Sequence, residues 1–350
     1  MKFNVVIGNP PYNDDTTRGN GGNGGGNSIY PLFMELADSI SCRYTCLVVP
    51  ANWMGQYPIG VNKRVIDNQR KGSMLFRVLH DYLNSQDIFP GIKIPTGVCY
   101  YLKDKHMKDT DMQLHIVHTN NRDTKSNRIY NSKENIIFRD LVISDVLSKI
   151  RQIDGEDYIK FTGEYFTGKR YFDIPTNYKA YKYEKTDDFN IKLYVNPMTH
   201  RTPDGKAIEF GWIPEYVVKN HKESIDKYKV LISADFSSAC SPDPISIPRI
   251  IGPGEVSTET YLPILGKGGT LEEAQAIEKY LRTKFVRYLV YCMKYSHNVT
   301  SVTFRLVPAQ DFTNNKLWDM NIVDIDNWLY SKYKLSTSEI DYIEGVVTRV

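Results

Sequence analysis

The chain has 350 residues, 41% of them hydrophobic and 12% aromatic, with a formal net charge of +3 at pH 7. That length accommodates two ordinary domains, or one domain with a large appendage. No apolar run reaches the ~18 residues that a membrane span needs, so no membrane partner is expected. Met1-Lys2 leads into a short apolar segment rather than a signal peptide. The mildly basic balance permits a nucleic-acid partner without requiring one. The five cysteines (Cys42, Cys46, Cys99, Cys240 and Cys292) are odd in number and scattered. No second pair or histidine cluster completes the Cys42/Cys46 spacing, so no metal site is expected. All five are read as reduced residues of a cytoplasmic protein.

Phe3 to Gly8 predicts a buried strand. Residues 13–27 are almost all Asn, Asp, Thr and Gly, which have little to pack and much backbone freedom, and they predict a mobile loop. Ser28 is the expected N-cap of a helix through Tyr30, Leu32, Phe33, Leu36, Ala37 and Ile40. Tyr44 to Val49 reads as a near-continuous apolar strand stopping at Pro50. A helix with Val61, Val65 and Ile66 follows. Strands from Met74 to Leu79 and from Gly97 to Leu102 then flank the turn-rich Phe89-Pro90-Gly91. This alternation predicts an α/β domain, the back half of an open sheet.

The character changes near residue 105. Residues 103–135 are polar and charged, and Phe138 to Ile150 predicts a connecting helix. Residues 155–265 are rich in Tyr, Phe, Gly and Pro and predict short strands and loops. Thr270-Leu271-Glu272-Glu273 has the pattern of a capping box. It opens a predicted long helix with Ala274, Ile277, Leu281, Phe285, Leu289 and Cys292 on one face. The expected division is residues 1–135 and 136–350, an α/β part followed by an α+β part.

Asn9-Pro10-Pro11-Tyr12, set directly after the first strand, carries specific chemistry. The lone pair of an adenine N6 is delocalised into the ring, which makes it a poor nucleophile. Accepting hydrogen bonds from both N6 hydrogens favours a tetrahedral nitrogen whose lone pair can face an electrophilic methyl. An Asn side-chain oxygen and a backbone carbonyl are suitable acceptors. Successive prolines fix the backbone that aims them, and a following aromatic offers a stacking face for a base taken out of the duplex. Read alone, the tetrapeptide is equally a turn; the preceding apolar strand and the following helix and strand favour the catalytic reading.

With Asn84-Ser85, Asp87 to Gly91 and Thr96 to Tyr101, the tetrapeptide resembles the DNA adenine-N6 methyltransferases of restriction–modification systems. The resemblance implies a partial Rossmann-like methyltransferase sheet followed by a target-recognition domain. Asn9, Pro10, Pro11 and Tyr12 would be catalytic. Phe89 would be a second stacking face or a core residue. Trp53, in Ala51-Asn52-Trp53, would line the pocket or simply pack, and packing is preferred. The implied partner is double-stranded DNA and the implied cofactor S-adenosylmethionine, in a prokaryotic or phage setting. Gly252 to Glu255, Thr260-Tyr261, Thr303 to Pro308 and the stretch from Trp318 to Ile343 are similar to the family's recognition region.

Lys160, Lys169, Arg170, His200, Arg201, Lys284, Arg287, Lys294 and Arg305 are candidate DNA contacts. Lys169, Arg170, Arg201, Lys284, Arg287 and Arg305 are preferred, although for each one singly a solvated charge is the simpler reading. The cofactor's Gly-rich strand–turn–helix is not found. Ile250-Ile251-Gly252-Pro253-Gly254 has a proline in its turn and no helix before Tyr261, and the glycines at 19–26 follow a loop. The sequence therefore leaves two readings. One is the catalytic and recognition part of a methyltransferase, completed by a separate N-terminal polypeptide. The other is an inactive DNA-binding or decoy module. No Walker A loop or endonuclease constellation is present.

Overall fold

In the computed structural model the described residues are 2–14, 26–107, 113–118, 121–126, 130–313 and 315–350. Most of the expected Gly-rich loop lies outside them. The chain is mixed α/β and divides into two compact units. The first comprises residues 1–144, 238–240 and 294–297, and the second the remainder. The expected boundary at 135 shifts because Ile136, Ile137 and Phe138 are fully buried with the first unit.

The first unit is built on a six-stranded sheet. Its strands are β1 (Phe3–Gly8), β2 (Ser41–Pro50), β3 (Phe76–Tyr82), β4 (Val98–Asp104), β5 (Gln113–His118) and β6 (Asn121–Ser126). The order is β1-β2-β4-β3-β5-β6. β1 and β2 are parallel, whereas β4 runs antiparallel between β2 and β3. Helices α1 (Tyr30–Ile40) and α2 (Lys63–Gly72) pack on it. Trp53, Phe76 and Tyr101 form the centre of the core, with Phe76 and Tyr101 stacked at 4.3 Å.

Two expectations change. β1 is a strand but not a buried one: Phe3, Val5 and Ile7 are exposed, Ile7 by 77%. Among the described residues β1 is the sheet's edge, with β2 as its one neighbour. Nor does Ser28 cap α1. Its hydroxyl donates to Asn13 and its backbone N–H to Ile59. The helix starts after Ile29, with Pro31 in its first turn, where a missing N–H costs no hydrogen bond.

The second unit contains two three-stranded sheets. Ile191–Tyr194 is central in one, and Lys229–Ser233 in the other, which is antiparallel. Helices follow at Leu271–Arg282, Lys284–Met293, Ile322–Lys332 and Thr337–Val346. The Thr270–Glu273 capping box forms with both of its hydrogen bonds. The expected single long helix is two, because Thr283 is extended with ψ of 144°. The second helix takes its cap from elsewhere: the buried Asp326 carboxylate accepts the N–H groups of Lys284 and Phe285, both at 3.0 Å. The expected helix from Phe138 instead spans Ile143–Asp154. Asp140 accepts the N–H groups of Val142 and Ile143 at its start. No helix among the described residues is long and apolar enough to cross a membrane.

Candidate target-base pocket

The register of the first unit gathers four chain segments at one end of the sheet. Gly8 of β1 pairs with Leu47, so Asn9 to Tyr12 emerge beside the last residues of β2. Because β4 is antiparallel, its first residue Val98 sits opposite Pro50 of β2 and Tyr82 of β3. The segment before β4 therefore reaches the edge at which β1, β2 and β3 end. Carboxyl ends of strands in open α/β sheets are where ligands bind.

A cavity of about 340 Å³ lies there. Tyr12 and Asn13 form one wall, Pro50 and Asn52 another, and Lys93 to Thr96 a third. Tyr30, Ser296 and His297 complete it. Of the tetrapeptide, only Tyr12 lines the cavity; Asn9, three residues earlier, is exposed and stands outside the lining. The Tyr12 ring meets Tyr30 edge-on at 6.4 Å. Its carbonyl accepts the Ile29 N–H at 3.0 Å, which ties the tetrapeptide to the start of α1. Burial, with a smaller contribution from Cys99, pushes the Tyr12 phenol up to about 12. At neutral pH it is a neutral ring with a hydroxyl, suited to stacking rather than to acid–base work.

The third wall is held rigidly. The buried Ser85 hydroxyl donates to the Ile92 carbonyl at 2.8 Å and accepts the Ile94 N–H at 2.7 Å. Arg139, buried and bidentate on Asp81, donates to the Thr96 carbonyl at 2.8 Å. Gly97 has φ of +70°, and a Cβ there would lie 2.5 Å from the Tyr82 carbonyl oxygen. Only glycine fits that turn without displacement.

Phe89 is half-buried and stands outside the cavity lining, while the Lys93–Thr96 segment that follows it is part of the wall. Trp53 is fully buried against Phe76 and Tyr101, so of its two readings the preferred one, packing, holds and the pocket lining is dropped. Its neighbour Asn52 faces the cavity instead. Asn52 lies within a stretch that the sequence marks, and Lys93 lies between two of them. Tyr30 carries no signal beyond helical spacing. Ser296 and His297 have none, because folding alone brings them near residue 12.

The basic candidates separate by burial. Lys169 is half-exposed, 3.8 Å from Asp235, and Arg170 is exposed, 3.5 Å from Glu259. Arg201 is exposed on the turn that closes at Ala207. Lys160 and Arg305 are half-buried. His200 is buried, its ring bonded to the Asn196 and Tyr178 carbonyls. Arg287 is fully buried and bonded to Asp243, Ile245 and Thr348, so its assignment to DNA is corrected. Lys284 is largely covered and paired with Glu344 at 3.0 Å, and Lys294 is buried; neither offers a free charge for phosphate.

Among solved structures, the chain is similar to the type IIL restriction-modification enzyme MmeI in complex with DNA. Identity there is 10%, covering 98% of this chain and 56% of that one, with a TM-score of 0.49. It is also similar to the type IIG restriction endonuclease BpuSI, at 12% identity over 91% of this chain and 48% of that one, with a TM-score of 0.33. A curated relative from Mycoplasma pneumoniae, an "uncharacterized adenine-specific methylase", is 30% identical over 166 residues. That match covers 45% of this chain, which spans 38% of the relative's length. Residues 1–89, which hold β1, the tetrapeptide, β2 and β3, match the model of the Eco57I restriction-modification methylase family, and the chain thus resembles the adenine-specific methylases of restriction–modification systems.

Proposed function

We propose that this chain is the target-base and DNA-recognition part of a cytoplasmic, site-specific DNA adenine-N6 methyltransferase. One observation carries the reading: Asn9-Pro10-Pro11-Tyr12 leaves the carboxyl end of β1 beside a 340 Å³ cavity that Tyr12 walls. In this reading an adenine extruded from double-stranded DNA stacks on Tyr12. The Asn9 side-chain oxygen and the Pro10 carbonyl accept the two N6 hydrogens, which localises the lone pair for attack on a methyl group.

S-adenosylmethionine supplies that methyl when bound. The described residues do not form a site for it. The segments that leave β2 and β3, Ala51–Met54 and Asn84-Ser85, are not glycine-rich turns ahead of a helix, and the glycines between the tetrapeptide and α1 lie, apart from Gly26, outside the described residues. No residue is assigned to the cofactor, and no step is routed through it. The reading places the cofactor site on a further segment or a separate N-terminal polypeptide. Phe3, Val5 and Ile7 on the open edge strand, with Leu32, Phe33 and Leu36 exposed on α1, support it. An exposed apolar edge of this kind is normally covered in a working protein.

In the completed enzyme, Asn9→Ala abolishes methyl transfer to DNA and leaves DNA binding intact. Retained transfer removes Asn9 from its role. The chain by itself binds S-adenosylmethionine weakly or not at all in calorimetry. Micromolar binding overturns the placement of the cofactor site elsewhere.

A further inference from the structure

We infer that Asn52 reads the target base, donating from its carboxamide NH₂ to a ring nitrogen of the extruded adenine, with Tyr30 setting which way the amide faces. This deepens the proposed function and rests on it.

A short hydrogen-bond chain orients the amide. Asn52 is half-buried and lines the cavity, whereas Tyr30 is 1% exposed. The Tyr30 hydroxyl lies 2.7 Å from Asn52 Oδ1. A carboxamide placed against a hydroxyl can face either way, so the hydroxyl's own need for an acceptor decides. The Tyr30 hydroxyl is buried, and among the described residues Asn52 Oδ1 is its acceptor; with the amide turned round, the phenol proton would be buried with none, which costs more than a weak contact gains. The hydroxyl therefore gives its single proton to Asn52 Oδ1. The Asn52 NH₂ is left as a pair of donors, and among the described residues it has no acceptor.

Donors suit adenine in particular. Its N1, beside the N6 amine, accepts, whereas guanine carries a proton at N1 and thymine one at N3; N7 accepts in both purines, so the contact at N1 is the one that selects. Asn9 as acceptor and Asn52 as donor would together match the donor–acceptor edge of adenine and oppose the N–H of guanine or thymine. A polar group left facing the wrong partner in a half-buried site costs more than a weak contact does, so the pair selects by penalty as well as by attraction. Asn52 also holds its loop through its carbonyl, which accepts the Gly55 and Gln56 N–H groups. Side-chain substitutions leave those bonds in place.

The test titrates the full chain with 2′-deoxyadenosine, its 1-deaza analogue and its 7-deaza analogue, read by NMR or calorimetry. Asn52→Asp replaces the donor by an acceptor of the same shape and is expected to weaken 2′-deoxyadenosine binding about tenfold. One of the two analogues, having lost the nitrogen that Asn52 contacts, binds the chain and the variant alike. Tyr30→Phe frees the amide to turn and gives a smaller loss, about threefold. If Asn52→Asp does not fold, Asn52→Ala, smaller and uncharged, carries the same comparison. The inference is overturned if 2′-deoxyadenosine binds chain and variant equally, if both analogues keep the tenfold difference, or if the wild-type chain binds none of the three. Methyl transfer by Asn9→Ala tests the wider reading separately, so the two can fail independently.

Discussion

Arg139 grips Asp81 through two contacts of 2.6 Å, Nε to Oδ2 and Nη2 to Oδ1, and both side chains are almost fully buried. The third arm of the guanidinium reaches the Thr96 carbonyl, so one buried ion pair fixes the segment that walls the cavity. Removing one partner strands the other as a buried charge. Arg139→Met is expected to lower the stability of the chain by about 3–5 kcal/mol, seen in denaturant unfolding. Adding Asp81→Leu to that variant should recover part of the loss, because the stranded carboxylate is gone. A double variant less stable than the single one contradicts a stranded charge as the cause.

Gly97 is the hinge of the same segment. Its φ of +70° and the short approach to the Tyr82 carbonyl leave no room for a side chain. Gly97→Ala is expected to cost at least about 1–2 kcal/mol from the left-handed backbone alone. It should also reduce affinity for 2′-deoxyadenosine, since Thr96 and Pro95 line the cavity. Unchanged melting and affinity would show that the turn relaxes freely.

Asp326 makes stability depend on pH. Burial pushes its carboxyl up to about 6, against the N–H groups of Phe285 and Lys284 and the charge of Arg349, which pull it down. In the unfolded chain the group titrates near the ordinary ~3.9. Between these values the folded chain holds a proton that the unfolded chain has lost. The contribution is therefore fully present below about pH 4 and is lost as pH rises through about 6. Compared with Asp326→Asn, which does not titrate, the wild-type chain should gain relative stability as pH falls from 7 to 4. Parallel stability curves would rule out a raised carboxyl.

β2, β3 and β4, and the place of the tetrapeptide at the end of β1, were legible because apolar runs and a rigid Asn-Pro-Pro carry their own local signals. What was not legible depends on which face meets what. Phe3 to Gly8 has the composition of an interior strand, yet it lies at an edge, and composition is blind to neighbours. Trp53 and Asn52 adjoin in sequence and point to different fates: the indole goes to the core and the amide to the cavity. Thr283 interrupts an unbroken helical periodicity only because Asp326, on another helix, caps the second piece. Arg287 sits in the sequence like any surface charge of a helix, and the acceptors that bury it lie 42, 44 and 61 residues away.

Burial should likewise decide which cations meet DNA. A cation bound to phosphate displaces condensed counterions, so it reveals itself in salt dependence rather than in affinity alone. Lys169 and Arg170 are held only by exposed or long ion pairs, worth little to stability and readily exchanged for phosphate. Replacing both by Gln should leave melting unchanged and weaken DNA binding. The slope of log K against log salt should flatten by about 0.9 for each phosphate no longer neutralised. Arg287→Gln should do the opposite. It removes hydrogen bonds to Thr348, Ile245 and Asp243 inside the second unit, costing stability by about 2 kcal/mol, and leaves the salt slope unchanged. A flattened slope in Arg287→Gln, or an unchanged slope in the Lys169/Arg170 variant, would mean that burial does not sort the DNA-contacting cations from the structural ones.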